Sequence, residues 1–152
     1  MSSELGDLYQ DLILDHNRRP RNFGRLVPHS HQARGVNPLC GDEIVLELAV
    51  SGGVIQDLRF EGKGCAISRA SASMMTEAVK GKPAKEAEAL ALRFRELVTK
   101  DDPGVDVDEL GKLAAFEGVR EYPARVKCAT LAWHALEAAL ETNDEEAVVS
   151  TE

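Results

Sequence analysis

The spacing of apolar side chains changes period twice along the chain. Leu5, Leu8 and Leu12 recur at helical intervals with Tyr9 and Ile13 alongside, which predicts an amphipathic helix over Ser3–His16. Pro20 cannot continue a helical ladder and disfavours the α region at Arg19, so the helix ends within His16-Asn17-Arg18-Arg19-Pro20-Arg21-Asn22. The stretch from there to Pro38 is rich in Pro, His, Asn and Gly, with one short strand predicted near Gln32–Val36. From Asp42 the period becomes two. Asp42, Ile44, Leu46, Leu48 and Val50 share one strand face, and Glu43, Val45, Glu47 and Ala49 share the other. Ser51-Gly52-Gly53 is a hairpin signal, after which Val54, Leu58 and Phe60 continue the buried face while Ile55, Asp57, Arg59 and Glu61 point away. This predicts an antiparallel hairpin with one wet face.

The second half returns to helical spacing. Ile67, Ala70, Met74 and Ala78 make a stripe that stops at Gly81, and Pro83 opens a helix carrying Ala87, Leu90, Phe94 and Leu97. Lys100-Asp101-Asp102-Pro103-Gly104 reads as a turn, and Leu110, Leu113 and Phe116 as a short helix. A last helix is predicted from about Pro123 to Leu140, with Trp133, Leu136 and Leu140 on one stripe. Strands first and helices after predict an α+β fold: a small antiparallel sheet of about three strands with helices on one face. One domain is expected over residues 1–141. The acidic segment 142–152 lacks aromatic residues and is expected to be a disordered tail.

Composition narrows the function. A length of 152 residues suits one domain with a real core, and 43% hydrophobic with 29% charged residues is ordinary for a soluble protein. A net charge of −8 argues against nucleic acid as a partner. The apolar cluster Leu5–Leu14 is broken by Asp7, Gln10 and Asp11 and is too short to cross a membrane, so a cytoplasmic location and no membrane partner are expected.

Three cysteines at wide spacing do not make a disulfide framework. Cys40 and Asp42 stand two residues apart in extended chain and face the same side, with Gly41 between them permitting a tight approach. Cys65 falls where the hairpin hands over to a helix, whose unpaired N–H groups stabilise a thiolate. Cys128 falls near the start of the last helix, where the same argument applies with less force. Three thiolates and one carboxylate would coordinate zinc, or hold iron with sulfide. Against this stands the reading of three unrelated buried cysteines, since no Cys-x-x-Cys pair is present.

Other residues read more plainly. His134 lies six residues past Cys128, roughly 240° around the helix, and cannot share its face. His29 and His31 sit in the N-terminal loop and read as solvated, His16 as a cap of the first helix, and Met74 and Met75 as core. Arg125, three residues before Cys128, lies near its face and could offset the charge of the thiolates; Lys127 is a weaker candidate. No Ser-His-Asp arrangement is visible.

Asn37-Pro38-Leu39-Cys40-Gly41-Asp42, Gly62-Lys63-Gly64-Cys65-Ala66-Ile67-Ser68 and Arg125-Val126-Lys127-Cys128-Ala129-Thr130-Leu131-Ala132-Trp133 strongly resemble the iron–sulfur cluster assembly family of IscU, SufU and the NifU N-terminal domain. The resemblance covers residues 3 to 141. It looks closest to the SufU branch, because Lys127 stands where the IscU branch carries a histidine and extra sequence spans Asp101–Glu117. Tyr122-Pro123-Ala124-Arg125-Val126-Lys127 replaces the proline-proline-valine-lysine segment through which IscU proteins engage a chaperone.

The resemblance implies Zn²⁺ bound by Cys40, Asp42, Cys65 and Cys128, or a transient [2Fe–2S] cluster on the same residues. It implies sulfur received from a pyridoxal-phosphate-dependent cysteine desulfurase of the SufS kind and passed to downstream iron–sulfur acceptors. Carried over by position, Cys40 is the sulfur acceptor. Its place after a Pro/Gly/His-rich segment suits the ligand that must leave a metal, whereas Cys128, on a packed helix, should stay. Catalysis would then be at most zinc-dependent sulfur transfer; otherwise the chain is a scaffold. The alternative is a zinc-stabilised interaction module without sulfur chemistry, which should unfold on chelation.

Overall fold

The computed structural model describes residues 3–99, 110–141 and 146–151, with side chains described for 10–99, 110–141 and 148–151. Helix α1 (Ser3–Arg18) runs two residues past the expected end and stops at Pro20, with the Arg19 N–H on the Asp15 carbonyl at 2.8 Å. Strands β1 (His31–Asn37), β2 (Asp42–Ser51) and β3 (Val54–Lys63) follow. Then come α2 (Ala66–Val79), α3 (Ala84–Thr99), a 3₁₀ segment (Gly111–Glu121), α4 (Pro123–Glu141) and β4 (Glu146–Ser150). None of the described helices is long and apolar enough to cross a membrane.

The sheet order is β3-β2-β1-β4, with β1–β2 and β2–β3 antiparallel. The α+β class holds, but the sheet has four strands and is mixed. The segment expected to be a disordered tail supplies β4, which pairs parallel with β1 from Gln32↔Glu146 to Val36↔Ser150. Its composition is that of a tail, but the free edge of β1 offers backbone partners that a local reading cannot see. The Thr151 N–H on the Val36 carbonyl and its hydroxyl on the Lys127 carbonyl, both 3.1 Å, tie the strand's end to β1 and α4.

One face of the sheet carries Ala33, Ile44, Leu46, Leu48, Leu58 and Phe60, all buried, and α4 packs across it. Helix α2 lies against α4 and α1, and α3 against α4 and the 3₁₀ segment. At the α2–α4 contact the Trp133 indole N–H donates to Ser71 Oγ at 3.2 Å, and that hydroxyl donates to the Ala129 carbonyl at 2.6 Å. Phe94 stacks on Trp133 with ring centres 4.8 Å apart. Met74 and Met75 are core, as expected. Leu110, Leu113, Phe116 and Val119 are all buried at intervals of three, the spacing that puts side chains in register on a 3₁₀ helix. The turn expected at Lys100–Gly104 lies outside the described residues.

Three local expectations change. A register shift at Ala49/Val50 pairs Ala49 with Asp57 and Val50 with Ile55, leaving Gln56 as an extra residue. Such a bulge reverses the phase of the strand, so Ile55 is fully buried and Val54 only partly so. His16 does not cap α1. It is buried, with Nδ1 2.7 Å from Ser73 Oγ and Nε2 3.5 Å from Glu77 Oε1, and burial pulls its pKa down. The outer face of the sheet is not uniformly wet either. Glu47 there is 1% exposed, because residues 25–29 lie over it. Its carboxylate accepts two N–H bonds from Arg25, at 2.8 and 2.9 Å, and one from the Leu26 N–H at 3.0 Å. His29 Nδ1 stands 3.2 Å away.

The bulge predicts unequal costs for two adjacent truncations. Ile55→Ala should lower the unfolding free energy by about 2–5 kcal/mol, and Val54→Ala by about 1 kcal/mol or less, in urea titrations. The Arg25 guanidinium holds the Glu47 carboxyl below the ordinary carboxylate range. A depressed folded pKa stabilises above the unfolded value and ceases to do so as pH falls through the folded one. The melting-temperature gap between wild type and Glu47→Gln should therefore be full at neutral pH. It should close on acidification from about pH 4.3 downward.

Candidate metal centre

All four sequence-predicted donors meet at one end of the sheet. The register Asn37↔Asp42 and Glu43↔Lys63 brings together the end of β1, the start of β2 and the end of β3. Cys40 is half-buried in the β1–β2 turn, where its N–H donates to the Asn37 carbonyl at 3.2 Å. Asp42 opens β2 with its side chain on the core side, 2% exposed. Cys65 is the N-cap of α2, and the Ser68 N–H donates to its sulfur at 3.4 Å. Capping by the Cys65 side chain satisfies one of the free N–H groups at that helix start.

Cys128 arrives from a segment distant in sequence. It lies in the second turn of α4, fully buried, so the free N–H groups of the helix start do not reach it. Its thiol donates instead to the Ala124 carbonyl at 3.5 Å. Burial, and then the crowding of Asp42, Cys40 and Cys65, push its pKa far above the ordinary thiol range. The donor atoms of Cys40, Asp42 and Cys128 lie within 4.8 Å of one another. The Cys65 sulfur is 4.0 Å from Asp42 Oδ2. Cys40, Asp42 and Cys128 thus form one close group, and Cys65 adjoins it at the Asp42 carboxylate.

Asp42 is the hub. Its Oδ1 accepts the Cys65 backbone N–H at 2.8 Å, which fixes the carboxylate and the start of α2 together. Gly64 makes this approach possible. Its φ is +141°, and a Cβ there would fall on Asp42 Oδ1. Gly41, expected to permit the tight approach, has open space around it and serves instead through a left-handed φ of +72° that turns the chain between Cys40 and Asp42.

Of the flanking cations, Arg125 belongs to the site. The attraction of Cys65, then the hydrogen bond and charge of Cys128, raise its guanidinium pKa above the ordinary value. Lys127 faces the opposite side of α4, in a hollow shared with Arg95, His134 and Glu137. His134 lies there too, 3.9 Å from Glu137 Oε1, off the metal face as its spacing required. His29 binds the Leu26 carbonyl and Glu47, and His31 binds Ser30 Oγ at 2.8 Å; neither approaches the thiols.

Asn37 went unassigned in the sequence. It is fully buried, and its Nδ2 lies 3.5 Å from Asp42 Oδ2 and 3.6 Å from Cys128 Sγ. The only local signal was a polar residue at the end of a strand facing the core, three residues before a cysteine.

Gly64 gives the sharpest local test. Gly64→Ala should cost at least about 1–3 kcal/mol in urea unfolding, because backbone strain adds to displacement of the Asp42 carboxylate. A change well under that would mean Asp42 is not held as described.

The NifU-like N terminal domain family matches residues 8–129. The zinc-dependent sulfurtransferase SufU of Bacillus subtilis is 43% identical over 90% of this chain and 91% of its own length. The iron–sulfur cluster assembly scaffold protein IscU of Streptococcus pyogenes is also 43% identical, over 91% of this chain and 86% of its own. Among solved structures, a SUF-system cluster assembly scaffold protein from Fervidobacterium islandicum superposes with a TM-score of 0.80 at 35% identity, covering 91% of this chain and 99% of that one. A NifU-like N-terminal protein of Brucella abortus gives a TM-score of 0.75 at 28% identity, covering 91% and 96%. With its thiols and carboxylate meeting where the three matched motifs converge, the chain belongs to the NifU-like N-terminal domain family, alongside SufU and IscU.

Proposed function

We propose that this chain is an iron–sulfur cluster assembly protein that accepts persulfide sulfur on Cys40 from a pyridoxal-phosphate-dependent cysteine desulfurase. In this reading Cys40, Asp42, Cys65 and Cys128 together hold Zn²⁺. The observation that carries it is the meeting of these side chains from four separate segments at one end of the sheet. Relatives named for zinc-dependent sulfur transfer and for cluster scaffolding support the class.

The donor set fits a thiophilic dication. Three thiols and a carboxylate packed this closely cannot all carry charge without compensation, and Cys128 accordingly resists ionisation. A dication held there keeps the thiols deprotonated at neutral pH. Arg125 would offset the remaining negative charge.

The residues divide the work by their anchoring. Cys128 is buried on a packed helix, and Cys65 is engaged as a helix cap. Cys40 is half-exposed, as Cys65 is, but it hangs on a turn with no helix holding its sulfur and is the thiol freest to meet a partner. Its thiolate attacks the outer sulfur of the donor's persulfide. The sulfur–sulfur bond breaks, its electron pair leaves on the donor's cysteine thiolate, and Cys40 keeps the transferred sulfur as its own persulfide. That sulfur then passes to a downstream acceptor or scaffold.

The apolar core is extensive, running from β2 and β3 through α2, α3 and α4 around Phe60, Phe94 and Trp133, so most of the fold is held by burial away from any ion. This disfavours an interaction module that depends on zinc for its fold.

In a desulfurase assay the zinc-loaded chain should accelerate sulfur release from cysteine, and Cys40→Ala should return the rate to that of the desulfurase alone. Unchanged stimulation by Cys40→Ala would remove the carrier reading. Chelation should leave the far-ultraviolet circular dichroism intact; collapse would favour the interaction module. A visible chromophore formed anaerobically from iron and sulfide, without desulfurase stimulation, would favour the scaffold.

A further inference from the structure

Asn37 touches donors from three different segments. Its backbone carbonyl closes the turn that carries Cys40. Its Cα pairs with Asp42 across the β1–β2 ladder. Its amide nitrogen lies 3.6 Å from the sulfur of Cys128 on α4 and 3.5 Å from Asp42 Oδ2. The side chain is fully buried, and its Oδ1 is without a hydrogen-bond partner among the described residues.

An unpaired buried carbonyl is uncommon and works against the fold. The reason for it lies at the other end of the amide. Turned over, the group would set Oδ1 against a carboxylate oxygen and a sulfur, and acceptor would face acceptor. With Nδ2 toward them, the amide presents its two hydrogens to the two donors that carry negative charge when a cation is held. Arg125 meets the same sulfur but is exposed on α4, so within the buried part of the site the Asn37 amide is the neutral donor in contact with both.

We infer that Asn37 is a positioning residue of the metal centre, resting on the metal-holding reading above. Its amide N–H groups orient Cys128 and Asp42 toward a shared ion and withdraw electron density from the Cys128 sulfur. Outer partners of this kind commonly set metal affinity as strongly as a weak ligand does.

The test uses Zn²⁺ and Co²⁺ on the full chain, with Asn37→Ala and the isosteric Asn37→Asp. Competition with a chromophoric chelator gives the affinity, and the cobalt form gives the sulfur-to-metal charge-transfer band. Wild type should bind near one equivalent with that band present. Both variants should bind roughly 10–100-fold more weakly. Asn37→Ala should also move the band to longer wavelength, because losing a hydrogen bond raises the energy of the sulfur lone pairs. Metal-free circular dichroism of Asn37→Ala should match wild type. Equal affinity and an unmoved band would overturn the assignment. Loss of fold in both variants would overturn it too, by reducing Asn37 to a folding role. A wild type with no thiolate–metal band would end the metal-holding reading itself, a failure distinct from one confined to the variants.

Discussion

The site exists because α4 lies across β1 and β2. Cys128 stands 86 residues beyond Asp42 in the sequence, and no local preference brings them together. Apolar burial does. Leu131 and Leu136 of α4 are withdrawn from water against the sheet and its neighbouring helices, at roughly 1.5–3 kcal/mol each. Trp133 adds the stack with Phe94 and the bond to Ser71. That packing carries a thiol into surroundings where ionisation is disfavoured, and the hydrophobic gain is large enough to hold it there.

Against this background Asp42 organises the remaining donors. Its carboxylate faces inward from the first position of β2, and the Cys65 N–H locks it to the start of α2. Gly64 leaves room for that contact and Asn37 meets the carboxylate from β1. The result is a centre with unequal anchoring: Cys65 and Cys128 are fixed by helices, while Cys40 hangs on a turn between two strands. Inequality of this kind is what the proposed sulfur transfer requires of the four side chains.

The sheet itself is guarded on several sides. Residues 22–24 pair with the outer edge of β3 through the Gly24 and Phe60 N–H groups, and Phe23 meets Phe60 edge to face. Strand β4 covers the edge of β1. The Arg25–Glu47 pair fastens the N-terminal loop over the outer face. These contacts hold the edges and the outer face of the sheet, and at the end of β4 Thr151 bonds Val36 and Lys127, each next to a residue of the site.

What could be read from the chain alone was what depends on neighbours in sequence. The helical stripes of α2, α3 and α4, the β2–β3 hairpin, and the thiol-bearing motifs around Cys40, Cys65 and Cys128 are local patterns, and the motifs named the family and offered the candidate donors. Contacts between distant segments were decided only by the folded molecule. The bulge that turns Ile55 inward depends on its pairing with Val50, and burial of His16 on the approach of Ser73. Glu47 needs the loop that covers it, and β4 needs an open strand edge. Asn37 matters through Cys128, a residue on another element entirely. Side-chain periodicity records which face a residue presents, whereas packing chooses what that face meets.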